Sequence, residues 1–283
     1  MHGDQSGGHR RSRRIVIACA SATMLAVIVT MAIVWARPTN DPAAQPDAAP
    51  SVPTPSPGNE QTAQSGDAVT FLRAYADGSP VVLSHLGVGT KDDSLPTLTE
   101  YFDYTCYFCA RYDVEMGAEL SDRAVDGDFN IAHQPVTTSG AAFAYPATTA
   151  SLIVSQADPA HWVAFHHALL SYFHEQYNSG DGTVVQDGAR SFEAVRTIAA
   201  DAGVPDEVVS TFTPNSVGRY LTTTTNAWVA EDFDGRDPSM LGTPEFVRDQ
   251  TMVIHSSGTS AQEILRSLVE GMEASSAVDG SHH

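Results

Sequence analysis

Two thiols three positions apart, Cys106 and Cys109, are the residues of this sequence best suited to chemistry. They follow Pro96-Thr-Leu-Thr-Glu-Tyr-Phe-Asp-Tyr104, an alternating segment rich in aromatic and β-branched residues that reads as a strand. From Cys106 to Leu120, Phe108, Cys109, Tyr112, Met116 and Leu120 recur at helical spacing, and Thr105 is a fitting cap. A thiol at the start of a helix meets unpaired backbone N–H groups and the positive end of the dipole, which favour its thiolate. Cys106 is therefore expected to be the exposed nucleophile. Cys109, deeper on the next turn, would close a disulfide with Cys106 or release a mixed disulfide by attacking it. A purely structural bridge across one turn closes too short a loop to stabilise much. Glu100 precedes Cys106 by six residues and shares a strand face with Leu98 and Phe102. Burial there would raise its pKa and let it exchange a proton with Cys109.

The other candidate ligands add little at this level. Cys19 is the only further cysteine, so a disulfide framework and a four-cysteine zinc site are both excluded by count. His161, His166, His167 and His174 share a helical segment that lacks a His-Glu-x-x-His pattern, and they read as helix-surface or half-buried residues. No metal and no cofactor beyond the Cys106–Cys109 pair are expected.

The elements that must position this pair follow from periodicity. Phe129 to Val136 reads as a second strand, which makes strand, helix, strand a βαβ unit. Helices are predicted over Ala141–Gln156, Pro159–Tyr177, Ser191–Ala202, Pro205–Thr211 and Ser216–Ala230, with a loop at 178–189. Leu241–Val247 and Thr251–His255 read as a hairpin turning at Asp249-Gln250, where glycine would be expected. Ser260–Ala274 reads as a closing helix with Ile264, Leu265, Leu268 and Met272 on its apolar side.

Charge and hydropathy divide the chain of 283 residues. Arg10, Arg11, Arg13 and Arg14 fill a basic tail over residues 1–14, with Asp4 the only acid. Beyond it stand 11 bases against 33 acids, a balance of −22 that leaves no basic surface for nucleic acid. Residues 15 to 35 carry no charge, and 21 residues of helix at about 1.5 Å each span roughly one hydrocarbon core. The segment 15–36 is read as a transmembrane signal anchor, with the arginines cytoplasmic and the rest of the chain outside. It is longer than the apolar region of a cleaved signal peptide, the rival reading, and Val34-Trp35-Ala36 is a poor cleavage site. Residues 37–66 hold seven prolines among Ala, Ser, Thr, Gln and Asp and read as a disordered spacer. Residues 67–283 are then one domain, or one domain with an insertion.

The segment Thr99-Glu-Tyr-Phe-Asp-Tyr-Thr-Cys-Tyr-Phe-Cys109 resembles the active-site segment of the thioredoxin superfamily, in its DsbA-like branch. Gly242-Thr243-Pro244, followed by Phe246-Val247, is similar to that family's cis-proline loop, and His161 to Leu170 resembles a helix of its helical insertion. The resemblance covers roughly residues 79 to 273. It implies an α/β thioredoxin fold, a central mixed sheet with flanking helices, carrying an inserted helical domain at about 140–235. It also implies thiol–disulfide exchange with exported proteins. Cys106 would attack, Cys109 would resolve, Glu100 would be the buried acid, and Thr243 and Pro244 would hold the substrate strand. The intervening Tyr107-Phe108 lacks the proline or histidine often found there, so neither residue stabilises the Cys106 thiolate by charge. These aromatics would either contribute an apolar surface for unfolded chains or pack around the site. Thr243 is as much like isomerase and reductase relatives as oxidases.

The expected function is an extracytoplasmic, membrane-tethered oxidoreductase that introduces disulfides into secreted or surface proteins, its disulfide regenerated by a membrane redox partner. The alternatives are a reductase or isomerase fed by a membrane electron donor, and a catalytically silent binding module.

Overall fold

The structure, a computed structural model, describes residues 73–273. The basic tail, the expected span at 15–36 and the linker lie outside these residues. Among the described residues no helix is long and apolar enough to cross a membrane.

Six strands form one mixed sheet: β1 (Val81–Ser84), β2 (Gly87–Val88), β3 (Thr97–Phe102), β4 (Asn130–Pro135), β5 (Glu245–Arg248) and β6 (Met252–Val253). Their spatial order is β2-β1-β4-β3-β5-β6. Among the described strands, β3 and β4 pair in parallel, in register Leu98↔Ile131 and Glu100↔His133, and the other pairs are antiparallel. A parallel neighbour requires a crossover, supplied here by α1 (Tyr107–Tyr112), a π turn (Asp113–Gly117) and α2 (Ala118–Asp126). β4 is buried at every position, as suits an interior strand of this sheet. The β1–β2 hairpin was not legible in the sequence: its strands are only four and two residues long.

After β4 the chain leaves the sheet as α3 (Ala144–Ala157), α4 (Pro159–Ser179), α5 (Gly188–Asp201), α6 (Asp206–Val209) and α7 (Gly218–Ala230). It then returns through a short 3-10 turn (Pro238–Met240) to β5, β6 and α8 (Ala261–Glu273). The predicted helical block and closing hairpin are therefore present, with ends displaced by a few residues. The apolar side of α8 packs as expected, with Ile264, Leu265, Leu268 and Met272 buried beside Leu98, Ile131 and Phe246. Each such side chain contributes about 1.5–3 kcal/mol on leaving water. Further along the same face, Phe102 enters a second core with Phe143, Trp162, Phe165 and Leu169 of the helical block, while the opposite face packs Tyr101 and Val247 against Trp228 and Phe233.

The β5–β6 turn uses two non-glycine residues at positive φ, Asp249 at 47° and Gln250 at 57°. Their side chains compensate. Asp249 Oδ1 accepts the Thr97 N–H at 2.8 Å, and Gln250 bonds Thr99 Oγ1 at 2.5 Å and the Tyr101 hydroxyl at 2.9 Å. Aspartate tolerates the left-handed region, and these bonds tie the turn to β3.

Candidate functional site

The site forms where β3 ends. Because β5 runs antiparallel to β3 with Tyr101↔Glu245 in register, the residues just before β5 lie beside those just after β3. Thr243 and Pro244 are thereby brought against Cys106, whose Sγ lies 3.2 Å from the Thr243 carbonyl oxygen. The Thr243–Pro244 peptide bond is cis.

The turn from β3 into α1 is organised by a residue that sequence reasoning passed over. Asp103 is buried, and its Oδ1 accepts the Thr105 N–H at 2.7 Å and the Thr105 hydroxyl at 2.6 Å. Its Oδ2 accepts the N–H groups of Thr138 at 2.7 Å and Ser139 at 3.2 Å, and the Thr138 hydroxyl at 3.0 Å. Asp103 thus joins the active-site turn to the loop after β4. The sequence showed only an acid between two aromatics, two positions before Thr105, since its other partners lie more than thirty positions away. Thr105 does not cap the helix. Its hydroxyl is committed to Asp103 and Ser139, and Cys106 itself is the N-cap, with no side-chain cap bond.

Cys106 is half-buried and Cys109 fully buried, both as free thiols. Hydrogen bonding from the Cys109 thiol is the largest influence on Cys106. Burial opposes it, while Thr243 and the N–H groups of Cys109 and Phe108 assist, and the Cys106 thiol is lowered to about 6. The missing charged residue between the cysteines is thus replaced by thiol, hydroxyl and backbone donors. Cys109 is held well above the usual thiol range, first by burial, then by its bond to Cys106 and the negative charges of Cys106 and Glu100. The two thiols are pushed in opposite directions, so at neutral pH the outer one is the anion.

Glu100 lies on β3 beneath this pair, with Oε2 3.1 Å from Nδ1 of His133 on β4. Tyr107 packs against α4, its ring centroid 4.5 Å from that of Tyr177 and stacked on His174 at 5.9 Å. Phe108 is 55% exposed. The two aromatics therefore divide the expected roles: Tyr107 packs and Phe108 faces solvent. Two clefts reach residues next to the site, Pro244 in one and Thr105 in the other. One of about 330 Å³ is lined by Met240, Gly242, Pro244 and Phe246, and one of about 360 Å³ by Thr105, Ser139, Phe173 and Tyr177.

Glu245, the residue after Pro244, is a second position not singled out in the sequence. It is buried and paired with Arg236, accepts the Trp228 Nε1–H at 2.7 Å, and Arg236 stacks over Phe233 at 4.4 Å. This pair anchors the loop that carries Thr243. The histidines of α4 also differ among themselves. His161 pairs with Asp158 at the helix start and His174 lies near its end, but His166 is only 1% exposed, against the reading of a surface or half-buried residue.

This mixed sheet, interrupted by a helical block and carrying a C-x-x-C at the head of a helix, is a thioredoxin-like fold. No protein-family model and no curated protein matches the chain. Among solved structures it is similar to MdbA, a thiol-disulfide oxidoreductase from Actinomyces oris, with a TM-score of 0.54 at 22% identity. The match covers 67% of this chain and 86% of that one. Wolbachia pipientis alpha-DsbA1 matches with a TM-score of 0.49 at 12% identity, over 71% of this chain and 94% of its own. MdbA from Corynebacterium diphtheriae matches with a TM-score of 0.48 at 13% identity, over 68% and 98%.

Proposed function

We propose that this chain is an extracytoplasmic thiol–disulfide oxidoreductase that introduces disulfides into exported proteins. The observation that carries the reading is the pairing of opposites at the C-x-x-C. A partly accessible thiol lowered to about 6 stands 3.2 Å from the Thr243 carbonyl, over a fully buried thiol held far above its ordinary range.

In the oxidised enzyme a substrate thiolate attacks Cys106 Sγ, the Cys106–Cys109 bond breaks, and Cys109 leaves as a thiolate. Its strong preference for the neutral form draws a proton, which Glu100 supplies from below. A second substrate thiolate then attacks the substrate sulfur of the mixed disulfide. Cys106 departs as a thiolate, a good leaving group because its pKa is low. The substrate loses two electrons and two protons, and the cysteine pair gains the electrons. A membrane redox partner returns the pair to the disulfide. The Thr243 backbone and Pro244 hold an extended substrate segment beside Cys106, while Phe108 and the Met240 cleft offer apolar contact to unfolded chains. Residues 15–36 anchor the enzyme with its N-terminus cytoplasmic, and 37–66 hold the domain off the membrane.

A reductase or isomerase is the second reading. It is favoured by the Cys106 value of about 6, nearer to thioredoxin at ~7 than to DsbA at ~3.5. A silent binding module is separated from both by trapping. With Cys109→Ala, mixed disulfides between Cys106 and exported proteins should accumulate and disappear on reduction or on further replacing Cys106. A Cys109→Ala protein that accumulates none is a binder and not an exchange enzyme.

A further inference from the structure

Each time the disulfide opens, the buried Cys109 takes a proton that has to come from solvent. Glu100, with its side chain 12% exposed, can hand one on only after receiving one itself. It shares a small cavity with Asp113, His133 and His167, whose other walls include Met116 and Phe246. The cavity is about 10 Å³, room for about one water, and the four polar groups supply the partners a buried water needs.

The side of this cavity away from β3 and β4 is built by the π turn. Asp113 opens that turn, and its side chain is 8% exposed. Its Oδ2 accepts from His167 Nδ1 of α4 at 2.6 Å. Gly117 makes room for the pair, since a Cβ there would stand 2.5 Å from Asp113 Oδ2 and 3.0 Å from His167 Cε1. The His167 side chain is 23% exposed, and its Nε2 lies 3.2 Å from Ser121 Oγ. The pair therefore runs from a partly exposed ring to a buried carboxylate on the cavity wall. A buried carboxylate is costly unless paired, and neither residue of this pair has a part in thiol exchange so far.

The charges around the pair suit proton transfer. Burial raises Asp113, with His167 pulling the other way. Burial works against a cation on His167, but the bond and charge of Asp113 outweigh it and hold His167 above its ordinary range. The pair thus keeps a proton available near neutral pH. His133 fixes Glu100 from β4, its Nδ1 3.1 Å from Oε2. His166 stands close by, with Nε2 4.0 Å from Asp113 Oδ2, but burial holds it well below its usual range, so this ring stays neutral and does not trap the proton.

We infer that His167 and Asp113 carry protons between solvent and Glu100 through this cavity. The inference rests on Glu100 serving Cys109 as proposed above. When substrate thiolate opens the disulfide, Glu100 gives its proton to the departing Cys109 sulfur. Asp113 returns one to Glu100 across the cavity, His167 Nδ1 replaces it on Asp113, and solvent replaces it on His167. The relay groups end as they began, and the net change is one proton from solvent to Cys109. The same path runs in reverse when Cys109 attacks a mixed disulfide.

The test is a single turnover of the full chain in its disulfide form with a saturating reduced peptide that carries two cysteines, quenched in acid and read as Cys109 thiol formed. Asp113→Asn and His167→Ala should each slow this step about tenfold or more, with the Cys106 midpoint of the reduced protein still at about 6. Imidazole in the buffer should restore the rate of His167→Ala and leave Asp113→Asn slow. The restoration should follow the protonated fraction of imidazole as pH is varied, which mere filling of the gap would not do. His167 is partly exposed, so its variant stays readable if Asp113→Asn does not fold. The relay is overturned if both variants keep the wild-type rate, or if His167→Ala is slow and imidazole does not restore it. Glu100→Gln, run alongside, tells this failure from failure of the proposed function. If Glu100→Gln is slow while the other two are not, the relay alone falls; if Glu100→Gln keeps the wild-type rate, Glu100 does not serve Cys109 and both fall.

Discussion

Replacing Cys109 by alanine removes the largest influence on the Cys106 thiol and leaves the opposing effect of burial in place. With the thiol at about 6, some 90% of Cys106 is thiolate at about pH 7; at the ordinary thiol value of about 8.5 only about 3% would be. Thr243 and the N–H groups of the first helical turn remain in Cys109→Ala, so its midpoint should fall between these limits, at least about one pH unit above the wild type. Ultraviolet thiolate absorbance of the reduced proteins against pH measures both midpoints, and the pH profile of iodoacetamide alkylation gives the same midpoints kinetically. A wild-type midpoint at the ordinary thiol range of about 8.5, or a Cys109→Ala midpoint equal to the wild type, would refute the assignment of Cys109 as the hydrogen-bonding donor.

Glu100→Gln should slow release of mixed disulfides by Cys109 about 10²-fold or more, with binding of substrate little changed, in a single-turnover release assay. Asp103→Ala strands the N–H groups of Thr105, Thr138 and Ser139 and should cost about 3 kcal/mol or more, read as a lower urea midpoint. Gly117→Ala should cost about 1–3 kcal/mol in the same assay, because a Cβ there meets Asp113 Oδ2 at 2.5 Å and His167 Cε1 at 3.0 Å. Because the folded Cys106 value is depressed, its stabilisation of the reduced form is full above the ordinary thiol range and is lost as pH falls through about 6. The reduced protein should therefore gain stability relative to the disulfide form as pH rises from about 6 to about 8, and lose it again above about 8.5, where the raised Cys109 thiol keeps its proton while the unfolded chain releases one, in paired denaturation curves.

What could be read from the sequence was what local pattern encodes. The alternation of 96–104 gave β3, the spacing from Phe108 to Leu120 gave the helix start, and the apolar stripe of 261–273 gave α8. The pattern could not show that the helix loosens into a π turn at Asp113–Gly117, because that depends on Asp113 reaching His167 across the fold. The hairpin at 81–88 is too short to alternate visibly. Asp103 and Glu245 looked like ordinary loop and strand acids, since their partners are set by the sheet register and the loop after β4. His166 and His167 are adjacent in sequence and similar in type, yet one is buried and the other partly exposed. The difference lies in what α4 packs against: His166 meets Tyr104, Phe102 and Trp162, while His167 reaches Asp113.

For the proposed activity, Cys106–Cys109 must be a disulfide that exchanges with protein thiols and oxidises them. Equilibration of the protein with glutathione, read as its reduction potential, tests this most directly. A thiol at about 6 lies between thioredoxin at ~7 and DsbA at ~3.5, so the potential should fall between their values of about −270 and −120 mV. A value at or below about −270 mV would contradict the oxidase reading, and a pair that never equilibrated with glutathione would contradict exchange altogether.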